Sequence, residues 1–292
     1  MLICPKCARV LSEEDDRRRV CACGKAATRE SHIWRFIDQC DTPFEDHTSE
    51  ALDSLFSNAN RHFWLCHRRD IVTDSVINHL RPGHSFLDVG SGGCDIAVNL
   101  RSAGLDVSLA DIQIEGLKYG LKLEFQKLYH FDLCRPVFCD HFSAVGAFDV
   151  IEHIEDDVTA VSSLLKMTKP GGYVFSTVPA FNQLWSNHDV MERHKRRYSM
   201  HQLQKLFLDQ GAEIISCRYL FFSIFPLLVA RTLLSRLFPR THFSKEDYKN
   251  RFEIPIWLNR SLLSLLKKEK QWFSANGPPL GGSLFMCAKK PG

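Results

Sequence analysis

The sequence predicts an α/β fold, a mostly parallel sheet flanked by helices, with a small cysteine-bearing segment ahead of it. Three observations carry that expectation. An apolar run, Phe86-Leu87-Asp88-Val89, stops in a glycine-rich turn, Gly90-Ser91-Gly92-Gly93-Cys94, and a helical spacing of apolar residues (Ile96, Ala97, Leu100) follows at once. Beyond it, short apolar runs alternate with helical patterns, as βαβ units do. The 292 residues, 45% of them apolar, suit one large domain with an appendage better than two equal domains.

Residues 1–38 form the appendage. Cys4-Pro5-Lys6-Cys7 and Cys21-Ala22-Cys23-Gly24 are separated by thirteen residues. Two such turns on facing hairpins would gather Cys4, Cys7, Cys21 and Cys23 around Zn2+, the metal replacing a core that so short a piece cannot build. The second pair is Cys-x-Cys, one residue shorter than the usual knuckle, so four unligated thiols remain the alternative. Four thiolate ligands leave no coordination position open for chemistry, and the role reads as structural. Ile33-Trp34-Arg35-Phe36-Ile37 is expected to leave this ribbon as a strand. Of eleven cysteines the other seven are scattered singly, and Met1 opens onto a cysteine turn, not a leader, so a reducing cytoplasm is expected.

Residues 39–84 read as a linker and a pair of helices. A polar stretch from Asp38 to Glu50 contains Pro43 and His47. From Ala51 the spacing Leu52, Leu55, Phe56, then Phe63 and Trp64, is helical, and a second helix runs from Arg68 to Leu80, where Arg81-Pro82-Gly83 ends it. His62-Phe63-Trp64 with Arg68 and Arg69 makes an aromatic and basic cluster just ahead of the glycine turn.

Residues 85–292 hold the sheet. After the first strand and helix, Val107-Ser108-Leu109-Ala110 ends at Asp111, 19 residues beyond Gly92. A carboxylate at that strand end can accept hydrogen bonds from both hydroxyls of a ribose. Glycines let the turn approach a ligand closely, and the free N–H groups of the helix start face it. A pyrophosphate site would carry G-x-G-x-x-G. Here Asp88 stands two residues before the first glycine and the later glycine is missing. That carboxylate would repel a pyrophosphate and could receive an ammonium group.

The spacing Asp88-x-Gly90-x-Gly92 resembles motif I of class I S-adenosylmethionine-dependent methyltransferases, of the type 11/12 kind. One departure is Cys94, where those enzymes often carry a third glycine, which would set the helix slightly further out. Asp149-Val150-Ile151-Glu152-His153 after the fourth strand, Ala144 to Phe148, and Lys169-Pro170-Gly171-Gly172 before the fifth, Tyr173 to Val178, add to the resemblance, which covers roughly residues 50–290. It implies a Rossmann-like seven-stranded sheet whose last strand is antiparallel, S-adenosyl-L-methionine as cofactor, and a helix pair before motif I that caps the pocket. The expected cofactor-binding residues are Trp64, Arg68, Asp88, Gly90, Ser91, Gly92, Asp111, Ile112, Asp132, Leu133 and Phe148. Asp132, at the end of the third strand (Phe125 to Phe131), suits the exocyclic amine of adenine, with Leu133 packing on the ring. Asp88, Asp111, Asp132 and Phe148 all fall at the carboxyl ends of strands, where such sheets bind ligands.

The segment after the fifth strand, residues 179–199, is expected to hang over the substrate side as a lid. Its three aromatics, His188, His194, Asp189 and a basic quartet suit an acceptor with hydroxyls; they also suit a solvated lid. Ser199 and Gln202 form a capping box for a helix from Met200 to Asp209. After a sixth strand, Ala212 to Leu220, residues 221–273 form a helical insertion. Its apolar run Phe221 to Phe238 holds Arg231 and Arg236, and its second amphipathic helix, Ile256 to Phe273, carries Lys267-Lys268-Glu269-Lys270. Basic residues beside an apolar face fit an interfacial helix and equally a domain-flanking one. Tyr219 to Ala230, about a dozen residues broken by Ser223 and Pro226, is too short to span a bilayer, which takes about 20. The last strand is Ser283 to Ala288.

Methyl transfer from a sulfonium needs an acceptor held in line and, for a hydroxyl, a base. His153, beside the cofactor's methionine end, is the first candidate, followed by His188 and His194. Glu152 would point away from His153 on a helix and reads as structural. The expected function is O-methylation of a small-molecule, sugar or lipid-linked acceptor, in the cytoplasm, with peripheral contact at the inner face of the membrane left open through residues 221–273. A net charge of +3 gives no strong polyanion footprint, and residues 1–40 carry eight basic and six acidic side chains, so nucleic acid is a weaker partner. The alternatives are a zinc-ribbon RNA base methyltransferase and a non-catalytic methyltransferase-fold partner protein.

Overall fold

The computed structural model describes residues 1–37, 54–55, 57–272 and 277–292. The polar linker from Asp38 to Glu50, the start of the helical pattern at Ala51, Leu52 and Phe56, and Phe273 lie outside the described residues. Among the described residues eleven strands form one sheet. The N-terminal ribbon supplies β1 (Ser12–Glu13), β2 (Arg18–Val20), β3 (Ala26–Glu30) and β4 (Ile33–Arg35). The core supplies β5 (Ser85–Val89), β6 (Asp106–Asp111), β7 (Leu128–His130), β8 (Phe142–Phe148), β9 (Thr168–Pro179), β10 (Glu213–Leu220) and β11 (Ser283–Lys289). Their spatial order is β1-β2-β3-β4-β7-β6-β5-β8-β9-β11-β10, with β4 through β9 parallel and β11 antiparallel to both neighbours.

The seven core strands and the antiparallel last strand are therefore present, but the sheet is longer than seven. The edge strand β7 would leave a row of unpaired N–H and C=O groups, and β4 takes them in parallel register (Ile33↔Leu128, Arg35↔His130). The ribbon is a continuation of the sheet, and its Cys4, Cys21, Trp34 and Phe36 pack in the same apolar cluster as Val137 and Phe138.

The helices are α1 (Phe63–His79), α2 (Asp95–Ser102), α3 (Ile114–Lys122), α4 (Asp157–Met167), α5 (Asn187–Met191), α6 (Met200–Asp209), α7 (Phe225–Leu237), α8 (Lys245–Asn250) and α9 (Ile256–Trp272). Phe63, Trp64 and Arg68, expected on two helices, share α1. Its start is fixed from a distance: Phe63 N–H donates to Asn259 Oδ1 at 2.9 Å, and Asn259 Nδ2 donates to the Arg61 carbonyl at 2.6 Å. The third core strand is shorter than expected, because Phe125 is buried outside the ladder beneath the Arg101 guanidinium, 4.1 Å from its ring. The fifth is longer, since Lys169 to Gly172 are taken into β9. The Ser199–Gln202 capping box closes on α6 as expected, while α8 was not anticipated.

One face of the sheet packs Leu87, Val145 and Val174 against α4 and α6; the other packs Phe86, Leu109 and Phe175 against α1, α2 and α3. On the insertion, Leu233, Leu234 and Leu237 of α7, then Phe238, and Ile256, Trp257 and Trp272 of α9 are exposed. Among the described residues no helix is long and apolar enough to cross a membrane.

Candidate active site

Three strand ends and the turn after β5 build the floor of the site. Gly90 takes φ +69°, and a Cβ there would lie 2.5 Å from Val150 Cγ2, so only glycine lets the turn fold back under the β8 loop. Cys94, where a third glycine was the expectation, itself adopts the left-handed conformation (φ 55°) and is fully buried at the start of α2. The Asp111 carboxylate accepts from Gly92 N–H at 3.3 Å and Gln113 N–H at 2.9 Å, which fixes its orientation toward the turn. Burial pushes the Asp111 carboxyl up to about 6, with those backbone N–H groups opposing. Asp88 goes up to about 8, driven first by burial and then by Asp95, with Arg68 pulling the other way.

A cavity of about 750 Å³ opens above these strand ends. Trp64, Arg68, Asp88, Gly90, Ser91, Gly92, Asp111, Ile112, Asp132, Leu133 and Phe148 all line it, and so do His153, His188 and His194. Asp132 is held by Cys134 N–H at 2.9 Å. Trp64 and Arg68 are also engaged within the protein. Trp64 stacks flat on Phe221, centroids 3.6 Å apart, so one ring face is already covered. Arg68 pairs with Asp149 and lies 3.8 Å from Asp95, while Asp149 also accepts from Thr177 Oγ1 at 2.8 Å.

Glu152 departs from expectation. The segment after β8 is a 3₁₀ turn, Ile151–His153, entered from a left-handed Asp149 (φ 55°), and not an α-helix. Its different angular step brings a Glu152 oxygen and ring nitrogens of His153 and His194 within 4.8 Å of one another. Glu152 is fully buried, and among the described residues neither of its oxygens has a hydrogen-bond partner. Burial, reinforced by Asp149, raises its carboxyl well above the usual range. These three groups have the donor types a cation takes.

The lid is organised by Asp189, which is fully buried in α5. Arg197 donates to it twice, Nε at 2.6 Å and Nη2 at 3.0 Å, and Ser186 N–H donates at 2.8 Å. His194 Nδ1 donates at 2.8 Å to the same carboxylate. Burial alone would raise Asp189, but the His194 and Arg197 hydrogen bonds hold it well below the carboxylate range. His194 meets the His153 ring edge-on at 4.9 Å, and His188 lies 6.4 Å away. Burial, followed by the Arg231 charge, lowers His188 to about 4, so it stays neutral. The wall beyond is closed by Leu228 and Arg231 of α7 and by Arg251, which pairs with Glu192 at 3.0 Å.

Sequence reasoning named the glycine turn, the strand-end acids and the histidines. It read Glu152 as structural and did not assign roles to Asp95, Asp149, Arg197 or Arg231. A charge inside the apolar run Phe221 to Phe238 was the available signal for Arg231; Glu152 was lost to the wrong helical period.

In the ribbon, the sulfurs of Cys4 and Cys23 are 3.6 Å apart, those of Cys7 and Cys21 are 3.3 Å apart, and all four lie within 4.8 Å. Zn–S bonds of about 2.3 Å at a tetrahedral ion place sulfurs about 3.8 Å apart, so the shortened second turn does not prevent a fit. Lys6 N–H donates to Cys4 Sγ at 3.4 Å, as knuckle amides do toward a thiolate. None of the four cysteines lines the cavity.

Comparison with known proteins agrees with this architecture. Ubiquinone biosynthesis O-methyltransferase of Pseudomonas syringae pv. tomato is 33% identical over 101 residues, covering 32% of this chain and 43% of that protein. Its namesake from Pectobacterium atrosepticum is 28% identical over 159 residues, 49% of this chain and 66% of that one. The chain thus spans less than half the length of the first relative and just under two thirds of the second. Phosphoethanolamine N-methyltransferase 2 of Haemonchus contortus, solved with phosphomonomethylethanolamine and S-adenosylhomocysteine, superposes with a TM-score of 0.53 at 18% identity, over 85% of this chain and 59% of that one. A family model described as a methyltransferase domain matches residues 46–217, more than half of the chain, and the protein belongs to that family.

Proposed function

We propose that the protein transfers the methyl group of S-adenosyl-L-methionine to a hydroxyl oxygen of a small-molecule, sugar or lipid-linked acceptor. The observation that carries this is the continuity of one cavity from Asp88 and Asp111 at the strand ends to the histidines under the lid. In this reading Asp111 receives the ribose hydroxyls, Asp132 the adenine amine with Ile112 and Leu133 against the ring, and Asp88 with the Gly90–Gly92 turn the amino-acid end. Phe148 lines the floor, and Trp64 and Arg68 cover the pocket from α1. When bound, the cofactor supplies an electrophilic methyl carbon.

The chain's own contribution is to hold the acceptor in line, exclude water and take the hydroxyl proton. His194 is best placed to take it. With Nδ1 donating to Asp189, proton transfer at the cavity falls to Nε2, and the Asp189 charge stabilises the imidazolium that forms. His153 packs against that ring and keeps it oriented. His188, neutral and deeper, serves as a hydrogen-bonding wall. The curated relatives carry O-methyltransferase in their names, which supports oxygen as the acceptor atom. Zn2+ at Cys4, Cys7, Cys21 and Cys23 would fix the ribbon, and the exposed leucines of α7 support peripheral contact with a membrane face through residues 221–273.

Calorimetry with S-adenosylmethionine and S-adenosylhomocysteine on the protein and on Asp111→Ala tests the reading. Micromolar binding that the substitution abolishes is expected. No binding to the folded protein would overturn it in favour of a non-catalytic partner protein. A salt-sensitive shift of RNA would instead redirect the acceptor to a nucleobase.

A further inference from the structure

The cavity is electrically divided. Its strand-end floor is lined by Asp88, Asp95, Asp111, Asp132 and Asp149, with Arg68 among them. Its far wall, under the lid and against α7, is lined instead by Arg193, Lys195, Arg197, Arg231 and Arg251, with Glu192 among them. An acidic floor suits the ammonium and sulfonium of the cofactor. The basic wall has no such explanation.

Two of those cations are paired inside the protein. Arg197 is bound twice by Asp189, and Arg251 is paired with Glu192. Arg231 is different. It projects from α7 between Leu228 and Thr232, the latter buried and anchored to the Leu184 carbonyl at 3.0 Å, so the helix face that carries it is fixed against the lid. Among the described residues Arg231 has no ion pair and no hydrogen bond, and its Nε is shut off from solvent without an acceptor. The groups that face it are Arg197, Asp189 and His188. The Asp189 oxygens are already taken by Arg197, His194 and Ser186. His188 is neutral. A guanidinium held half-buried in that company is costly unless an anion completes the site.

We propose that Arg231 is the anion-binding residue of the acceptor subsite, and that the acceptor carries a carboxylate or a phosphate alongside its hydroxyl. The planar fork of arginine matches either oxyanion with two parallel hydrogen bonds. The apolar body of such an acceptor would lie along Leu184, Leu228, Phe252 and Ile254, which line the same wall. With the anion at Arg231, the rest of the molecule extends past His188 toward His194, the direction in which a hydroxyl must approach the base. This rests on the methyl-transfer reading of the cavity, and it narrows that reading to anionic acceptors.

The test is calorimetric, on the full chain, with and without saturating S-adenosylhomocysteine. The probes are inorganic phosphate, glucose 6-phosphate against glucose, and 4-hydroxyphenylacetate against 4-hydroxyphenylacetamide. One anionic probe is expected to bind more tightly than its neutral counterpart, and the two pairs decide between phosphate and carboxylate. Arg231→Met should weaken that probe by about 10- to 100-fold, the worth of a charge-assisted hydrogen bond, while leaving S-adenosylhomocysteine affinity unchanged, which also reports an intact fold. Arg231→Lys keeps the charge without the fork and should fall between. Equal binding of charged and neutral probes, or an anion affinity that Arg231→Met leaves in place, would overturn the proposal. Failure of S-adenosylhomocysteine to bind would overturn the methyl-transfer reading instead, and the arm without it still decides the anion subsite.

Discussion

Burial raises the carboxyls of Asp88 and Asp111, and a bound cofactor would bring both down. Their carboxyls sit near 8 and 6 because burial disfavours the charged form, against about 4 for an exposed aspartate. A bound ammonium at Asp88 and two ribose hydroxyls at Asp111 both favour the ionised form. Binding must therefore release protons, and affinity must rise with pH through about 6 and on to about 8. The sign for stability is opposite: raised carboxyl values weaken the unliganded fold as pH climbs through them. Titrating S-adenosylhomocysteine at pH 7 in buffers of different ionisation enthalpy should show net proton release; heats independent of buffer would refute the assignment of Asp88. The lid makes a separate prediction. His194→Gln should lower kcat by about 10²- to 10⁴-fold with cofactor binding unchanged, whereas an equal loss in both would reduce His194 to a structural residue.

Elements from distant parts of the chain complete one another around the cavity. α1 has no side-chain cap of its own, and Asn259 of α9 supplies both partners at its start. Asn259→Ala should cost about 0.5–2 kcal/mol in urea denaturation and loosen Trp64 and Arg68 over the pocket; no change in either would show that packing alone places α1. In the lid, Asp189→Ala leaves Arg197, 5% exposed, without its carboxylate. A buried charge stripped of its partner costs about 3–5 kcal/mol, so this variant should unfold at markedly lower denaturant, and an unchanged midpoint would contradict the buried pair. These dependencies also explain what the sequence could and could not disclose. The turn at Gly90, the acid at Asp111 and the capping box at Ser199 are local patterns, each readable within a few residues. Asn259 reaching Arg61, Asp189 gathering Arg197 and His194, and Arg231 facing His188 are consequences of packing between segments. Glu152 was hidden by a single 3₁₀ turn, which no periodicity over three residues can distinguish from an α-helix.

At the scale of the molecule, the ribbon continues the sheet beyond β7, while the insertion packs on α1 and on the lid. The insertion presents Leu233, Leu234, Leu237 and Phe238 to solvent, with Arg236 beside them and Lys267 and Lys268 on α9. If this is an interfacial face, the protein should co-sediment with anionic vesicles and not with neutral ones, and Leu234→Glu with Leu237→Glu should abolish it; retention by the double variant would exclude this face. The ribbon poses the sharper question, because its strands are hydrogen-bonded into the sheet that carries the site. β4 pairs with β7, β7 pairs with β6, and β6 ends at Asp111. The tetrad of Cys4, Cys7, Cys21 and Cys23 also borders the core cluster through Cys4 and Cys21. A metal that folds the ribbon would therefore protect the β7 edge, and its loss would be felt at the third and second core strands. The purified protein should contain zinc, and a strong chelator should lower its melting temperature and weaken S-adenosylhomocysteine binding together. Cys7→Ser, the exposed member of the tetrad, should reproduce both effects without chelator. Zinc removal that leaves melting and binding untouched would mean that β4 holds its place on β7 through the Ile33 to Arg35 ladder and the packing of Trp34 and Phe36 alone.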